Sequence, residues 1–193
     1  MSTLLLIRHG ETDLAGRFCG QIDPALNRNG RRQVAIFAAT LATQLAEELA
    51  PLQITRIISS PLRRARQTAE AIAQTLQLQV QFDAGLCEIG FGEWEGLHWT
   101  EIEARWPQEA RRWAEEFPHR PAPGGETFGD FCRRIDTCFA SLTANLREPA
   151  AIVTHRGVLQ HLLTRRFGFD AQQARDVSAP YCAHVLLKPP AER

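Results

Sequence analysis

The chain has 193 residues, enough for one substantial core with room for an insertion and tight for two full domains. Basic and acidic residues number 22 each, so no long-range field attracts nucleic acid or an acidic membrane surface, and any selectivity for anions has to be local. The five cysteines (Cys19, Cys87, Cys132, Cys138 and Cys182) are odd in number and lack C-x-x-C spacing, which argues against a disulfide framework or a zinc knuckle and fits a reducing cytosol.

In chain order, Leu4-Leu5-Leu6-Ile7 is an apolar run that stops at Arg8-His9-Gly10. That pattern predicts a buried strand delivering two polar side chains to its C-terminal end, where open α/β sheets place their chemistry. A guanidinium beside an imidazole disfavours a metal cation and favours an anionic substrate such as a phosphate. Met1-Ser2-Thr3 enters this strand without a charged leader, and no apolar run reaches membrane-spanning length, so a cytoplasmic protein that does not bind membranes is expected. Residues 13–26 carry Gly16, Gly20 and Pro24 without a helical period, which predicts a loop over the strand end that brings Arg17, Cys19, Gly20 and Gln21 near His9.

Asn27 is a plausible N-cap for a helix with Val34, Phe37, Leu41, Leu45 and Leu49 on one face, closed by Pro51. Ile54 to Ile58 reads as a second strand ending at Ser59-Ser60-Pro61. Pro61 suits the first position of the next helix with Ser60 as its cap, and Arg63, Arg64 and the free amides of that helix start make a second anion-friendly strand end. Gln79 to Phe82 alternates as a strand should, and Leu86 to Gly92 follows as a glycine-punctuated loop carrying Glu88.

Residues 94–128 hold all four tryptophans and read as an irregular insertion or lid, with one short helix opened by a Thr100-Glu101-Ile102-Glu103 capping box and ended near Pro107. Thr127 caps a longer helix with Phe128, Phe131, Ile135, Leu142 and Leu146 inward. Ala150 to Val153 is a further buried strand ending at Thr154-His155, followed by a helix from Gly157 to Phe167. Cys182 to Leu187 supplies a last strand, and residues 188–190 a tail. The fold class expected is therefore α/β, a three-layer sandwich with a mostly parallel sheet, helices on both faces and a small helical insertion over the site, all in one domain spanning 1–193.

In such a sheet His9, Arg64 and His155 converge on one edge. Phosphoryl transfer depends mainly on holding and neutralising the equatorial oxygens. Arg8 and Arg64 are expected to do this by bidentate hydrogen bonds, with His155 as third donor and His9 free to attack in line. Attack requires an unprotonated nitrogen, so the other ring nitrogen of His9 should donate to a carbonyl of the adjacent loop. Glu88 is the candidate acid for the leaving group and, afterwards, base for water. Glu93 and Glu95 compete with it, and Glu11 and Glu126 fit either an orienting or a structural role. His98, His119, His161 and His184 are assigned no chemistry, and no metal or cofactor is expected.

The segments Arg8-His9-Gly10-Glu11-Thr12, Ser60-Pro61-Leu62-Arg63-Arg64-Ala65, the Glu88 loop and Val153-Thr154-His155 resemble the signature segments of the histidine phosphatase (phosphoglycerate mutase-like) superfamily. The resemblance implies that His9 is the phosphorylated nucleophile, Arg8 and Arg64 are phosphate ligands, Glu88 is the proton donor and His155 completes the pocket. Residues 16–23, 91–96 and 123–128 are most similar to the α-ribazole phosphatase branch, which implies a role in cobalamin nucleotide-loop assembly. Two departures stand out. The loop after Thr12 is about two residues short, with Ala15 where an Asn is usual, which leaves Arg17, Gly20 and Gln21 as candidate phosphate contacts; and Arg156 follows His155 where Gly is common. The alternatives are a phosphoglycerate mutase, a broad-specificity small-molecule phosphatase and an inactive phosphoprotein-binding module. The partner expected is a small-molecule phosphate monoester, with a homodimer left open.

Overall fold

Along β1 (Leu4–Arg8) successive side chains point to opposite sides, and both sides are apolar. Leu4 and Leu6 pack into one core with Ile152, Phe131, Ile135 and Leu162, while Leu5 and Ile7 pack into another with Phe37, Leu41, Ile72 and Val153. A strand buried on both faces needs a layer above and a layer below. The computed structural model, which describes residues 3–47, 53–144 and 146–187, supplies them. On one face lie α1 (Arg28–Glu47) and α2 (Arg63–Leu76); on the other lie α5 (Phe128–Ala144) and α6 (Arg156–Arg166).

Between these layers runs a five-stranded sheet of order β3-β2-β4-β1-β5, with β2 at Arg56–Ser59, β3 at Val80–Phe82, β4 at Ala150–Thr154 and β5 at His184–Leu187. Pairings β1–β4, β2–β4 and β2–β3 are parallel, and only β5 runs antiparallel, along β1. The expected three-layer α/β architecture is the observed one. β4, late in sequence, is inserted between β1 and β2. Its register pairs Arg8 with Thr154 and Ser59 with Val153, so the residues just past each strand end, His9, Ser60 and His155, become neighbours.

Several local expectations are corrected. Asn27 does cap α1, its Oδ1 accepting from the Gly30 N–H at 2.7 Å; the side chain of Leu45, together with Leu49 and Pro51, lies outside what the structure describes. α2 opens at Arg63 after a non-helical Leu62, and not at Pro61, because the Ser60 hydroxyl is turned to a buried histidine and accepts only the Leu62 N–H. The short helix α3 (Trp99–Arg105) starts one residue before Thr100, with the Glu101 carboxylate accepting from the His98 N–H at 2.8 Å. Pro107 opens a further helix, α4 (Pro107–Glu116), where a first-turn proline forfeits no hydrogen bond. α7 (Ala171–Ser178) was not foreseen either; Asp170 and Gln173 form its reciprocal cap, a D-x-x-Q signal overshadowed by the helix's sparse apolar content. The last strand begins at His184, since Cys182 adopts a φ of 56°.

The turn that follows β1 is held by close backbone approach. A Cβ on Gly30 would stand 2.1 Å from the Glu11 carbonyl oxygen. Gly30→Ala is therefore expected to lower stability by about 1–3 kcal/mol, read as a fall in the urea midpoint. Gly129→Ala, where the nearest atom is 3.9 Å away in the first turn of α5, should leave the midpoint unchanged or raised.

Candidate active site

His9 sits at the end of β1 with its backbone N–H bonded to the Thr154 carbonyl, and its ring lies beside that of His155 with centroids 5.1 Å apart. His9 Nδ1 is 2.6 Å from the Gly10 carbonyl, an acceptor only, so Nδ1 carries the proton and Nε2 keeps its lone pair. The Arg64 Nε–H donates to that lone pair at 3.3 Å. Burial pushes the His9 pKa well below the ordinary histidine range, and the charges of Arg64 and Arg8 push the same way. The ring is thus neutral with Nε2 free of a proton, the form a nucleophile needs. The acceptor sits in the loop after β1, where sequence reasoning expected it.

His155 is fully buried, with Nε2 2.8 Å from the Ser60 hydroxyl and Nδ1 without any partner. Burial, with Arg64 second, likewise keeps its pKa well below the usual value. Ser60, read from sequence as a helix cap, is instead the partner of this imidazole. Glu88 lies under 10% exposed, its Oε2 accepting from the Gly157 N–H at 2.9 Å and its Oε1 from the Ile89 N–H at 3.1 Å. Burial raises the Glu88 pKa in spite of these bonds and of Arg64 and Arg8, which lower it. Its loop is clamped by Arg134, which donates to the Gly85, Cys87 and Glu88 carbonyls and pairs with Glu126 at 2.8 Å. Glu126 accordingly orients the Glu88 loop through Arg134, while Glu11 is spent on Asn27, Asn29 and Gln33 around the start of α1.

The two arginines are less free than the sequence reading supposed. Arg64 is buried, and its Nη groups donate to the carbonyls of Ile22 (2.8 Å), Gly20 (2.5 Å) and Cys19 (3.4 Å). A buried guanidinium has to satisfy its five N–H groups, and here loop carbonyls take most of them, so no open bidentate fork remains. Arg8 lies 4.2 Å above the Tyr181 ring and donates through Nη1 to the Ala179 and Ser178 carbonyls, with Nε unpartnered. Thr68, one turn after Arg64, accepts from the Gly10 N–H at 3.1 Å and donates to the Arg64 carbonyl at 2.7 Å, locking α2 to the strand end. Spacing of four from Arg64 was the available clue; nothing in sequence marked Tyr181.

Arg17 lines the same cavity but is paired with Glu101 at 2.8 Å and with the Gly96 carbonyl. Gly20 and Gln21, predicted phosphate contacts, are not brought to the cavity of His9. Their N–H groups, with those of Ile22 and Phe91, converge on the Glu95 carboxylate at 2.8–3.2 Å. Glu95 is thereby removed from competition for the acid role, and Glu93 is exposed. Around His9, Arg8 and Glu88 opens a cavity of about 1000 Å³ whose walls include Phe18, Phe91, Trp113, Phe117, Phe128 and Phe131. The insertion is thus a small aromatic core, with Trp94 and Ile102 fully buried, that offers Trp113 and Phe117 to the cavity.

A family model described as the histidine phosphatase superfamily, branch 1, matches residues 4–193. The chain belongs to the histidine phosphatase superfamily. A bifunctional protein of Mycobacterium tuberculosis is 42% identical over 134 residues, 68% of this chain and 35% of that protein, so the chain spans about a third of that relative's length. Phosphoserine phosphatase 1 of Hydrogenobacter thermophilus is 35% identical over 174 residues, 88% of this chain and 78% of that one. The solved α-ribazole phosphatase of Shigella flexneri overlays with a TM-score of 0.83 at 26% identity, covering 96% of this chain and 90% of that one. The resemblance to α-ribazole phosphatases is therefore matched in three dimensions. Among histidine phosphatases, however, these relatives differ in the substrate their names carry.

Glu95 gathers four backbone donors from two loops. Glu95→Ala should leave them to solvent or unpaired, lowering stability by about 1–3 kcal/mol, seen as a lower melting temperature. Loosening of the carbonyls that hold Arg64 is expected to reduce the variant's hydrolytic rate as well.

Proposed function

We propose that this protein is a phosphomonoesterase that works through a phosphohistidine on Nε2 of His9. The observation that carries the reading is the neutral His9 ring, fixed by its Nδ1–H bond to the Gly10 carbonyl while its free nitrogen points to Arg64. In the first half-reaction Nε2 forms a bond to phosphorus as the ester oxygen leaves. Arg8, the remaining Arg64 N–H and the unpartnered His155 Nδ1 are the donors at hand for the equatorial oxygens, and Glu88 gives its proton to the departing alkoxide. In the second half-reaction Glu88 takes a proton from water, whose oxygen displaces the histidine and releases inorganic phosphate.

The large aromatic-walled cavity supports a substrate with a flat or apolar body beyond the phosphate. α-Ribazole phosphate, in cobalamin nucleotide-loop assembly, is the specific substrate proposed, supported by the likeness to the Shigella enzyme. Comparing kcat/KM for α-ribazole phosphate, phosphoserine and 3-phosphoglycerate tests it, with the first expected highest. Equal values would remove the name and leave the reaction class.

Rapid quench with labelled substrate should trap an acid-labile phosphoenzyme in the wild type and none in His9→Ala; label in the variant would overturn the mechanism. Glu88→Gln should slow phosphoenzyme formation by about 10²–10⁴-fold with alkyl phosphates and much less with p-nitrophenyl phosphate, whose leaving group needs no proton, so that with the latter the variant accumulates phosphoenzyme that it hydrolyses slowly. Because the Glu88 pKa is raised, the protonated acid persists to higher pH than for an ordinary carboxyl, and activity falls as pH rises through that pKa. The lowered His9 pKa keeps the nucleophile unprotonated down into the acid range, so the acid-side loss is displaced to low pH. The rate profile should therefore be limited on its alkaline side by Glu88, with that limb flattened by Glu88→Gln.

A further inference from the structure

The cavity does not end at the phosphate. It continues along the outward stripe of α6, where Arg156, Gly157, Gln160, His161, Thr164 and Arg165 recur at helical spacing while Val158, Leu159, Leu162 and Leu163 face the core. Arg156 and Arg165 are nine residues apart, about 14 Å along the helix axis. The near end abuts Glu88, whose carboxylate accepts the Gly157 N–H at 2.9 Å. The far end lies against α5, whose Cys132 and Asp136 line the same cavity. Across from it, α7 contributes Ala171, Ala174 and Arg175.

Charge along this channel is unbalanced in a chain whose net charge is zero. The lining contains five arginines against two carboxylates, Glu88 and Asp136. Arg17 is already paired with Glu101, and Asp136 is already met by Arg166 at 2.9 Å and His161 at 3.1 Å. Among the described residues, Arg156, Arg165 and Arg175 have no carboxylate partner, and Arg175 donates only to the neutral Gln172 amide. Arg165 and Arg175 each fall in the last turn of their helix, a place favoured by the helix dipole wherever around the axis the side chain points. That preference does not account for both lining one cavity.

We propose that the distal end of this channel, at Arg165 and Arg175, binds a second anionic group of the substrate, a carboxylate or a second phosphate, remote from the scissile phosphate. Elongated phosphate monoesters, with phosphate at His9, an apolar or aromatic middle against Phe128, Phe131 and Ala174, and an anion at the far end, then gain affinity from the distal arginines. The inference rests on the phosphatase reading, but not on α-ribazole phosphate as the substrate, which ends without that second anion.

The test compares ω-carboxyalkyl phosphates, α,ω-alkyl bisphosphates and ω-hydroxyalkyl phosphates of matched length. Wild-type KM should be about 10–100-fold lower for at least one anionic series than for the hydroxyl series, at chain lengths that span the channel, with kcat little changed. Whichever series gains identifies the second anion. The double charge reversal Arg165→Glu with Arg175→Glu should invert the order in favour of ω-aminoalkyl phosphates, a gain that misfolding cannot imitate. Equal KM values at every length, or a preference that survives charge reversal, would overturn the inference. Calorimetric titration of His9→Ala with the same compounds reads the same preference as a ratio of Kd values. Absence of all hydrolysis and of any phosphoenzyme would strike the phosphatase reading alone, leaving the second-anion inference to that titration.

Discussion

A neutral imidazole has to be held between two guanidinium groups without taking a proton and without turning away, and much of the molecule serves that condition. Burial and positive charge both disfavour the imidazolium, so the ring stays a base, and the Gly10 carbonyl decides which nitrogen is left exposed. In the proposed mechanism the same two arginines that keep His9 neutral attract the substrate's phosphate. On that reading a single arrangement of charge tunes the proposed nucleophile and draws its target.

Holding those guanidiniums is what the loops are for. Arg64 is tethered by carbonyls of residues 19, 20 and 22, and the N–H groups of residues 20, 21 and 22 are gathered by Glu95, so both poles of the 19–20 and 20–21 peptide units are satisfied, from two sides. On the other wall Arg134 takes the carbonyls of the Glu88 loop, while Gly157 at the start of α6 supplies an amide to the acid itself. Glu88 is then both fixed in place and raised in pKa by burial, a combination suited to giving up a proton and later taking one back. Anion binding would have to compete with, or add to, the carbonyl bonds of Arg8 and Arg64, which gives the loop after β1 and the α7–β5 turn a direct energetic link to the phosphate.

The aromatic insertion shows how tertiary context overrides a local reading. Residues 94–128 look irregular because prolines interrupt them, yet Pro107 starts a helix, and the tryptophans pack with Phe18 from the loop after β1. Stacking against Phe18 ties the insertion to the segment carrying Arg17 and Cys19, so the wall of the cavity and the tether of Arg64 belong to one packed unit. α7 carries little local signal for a different reason: only Ala174 and Ser178 of its residues are buried, too few apolar positions to make a periodicity.

What the sequence determined by itself rested on short-range pattern: apolar runs that must be buried on both faces, polar residues at their ends, and the chemical kinds present in Arg8, His9, Arg64, Glu88 and His155. Those features are legible because strand and helix periods are properties of neighbouring residues. The tertiary structure alone decided which groups share a hydrogen bond: that Ser60 meets His155, that Glu95 serves backbone and not chemistry, that Gly20 and Gln21 turn from the cavity, and that arginines from α6 and α7 face one channel. Such pairings join residues dozens of positions apart, and they follow from strand register and helix packing, which no local pattern encodes.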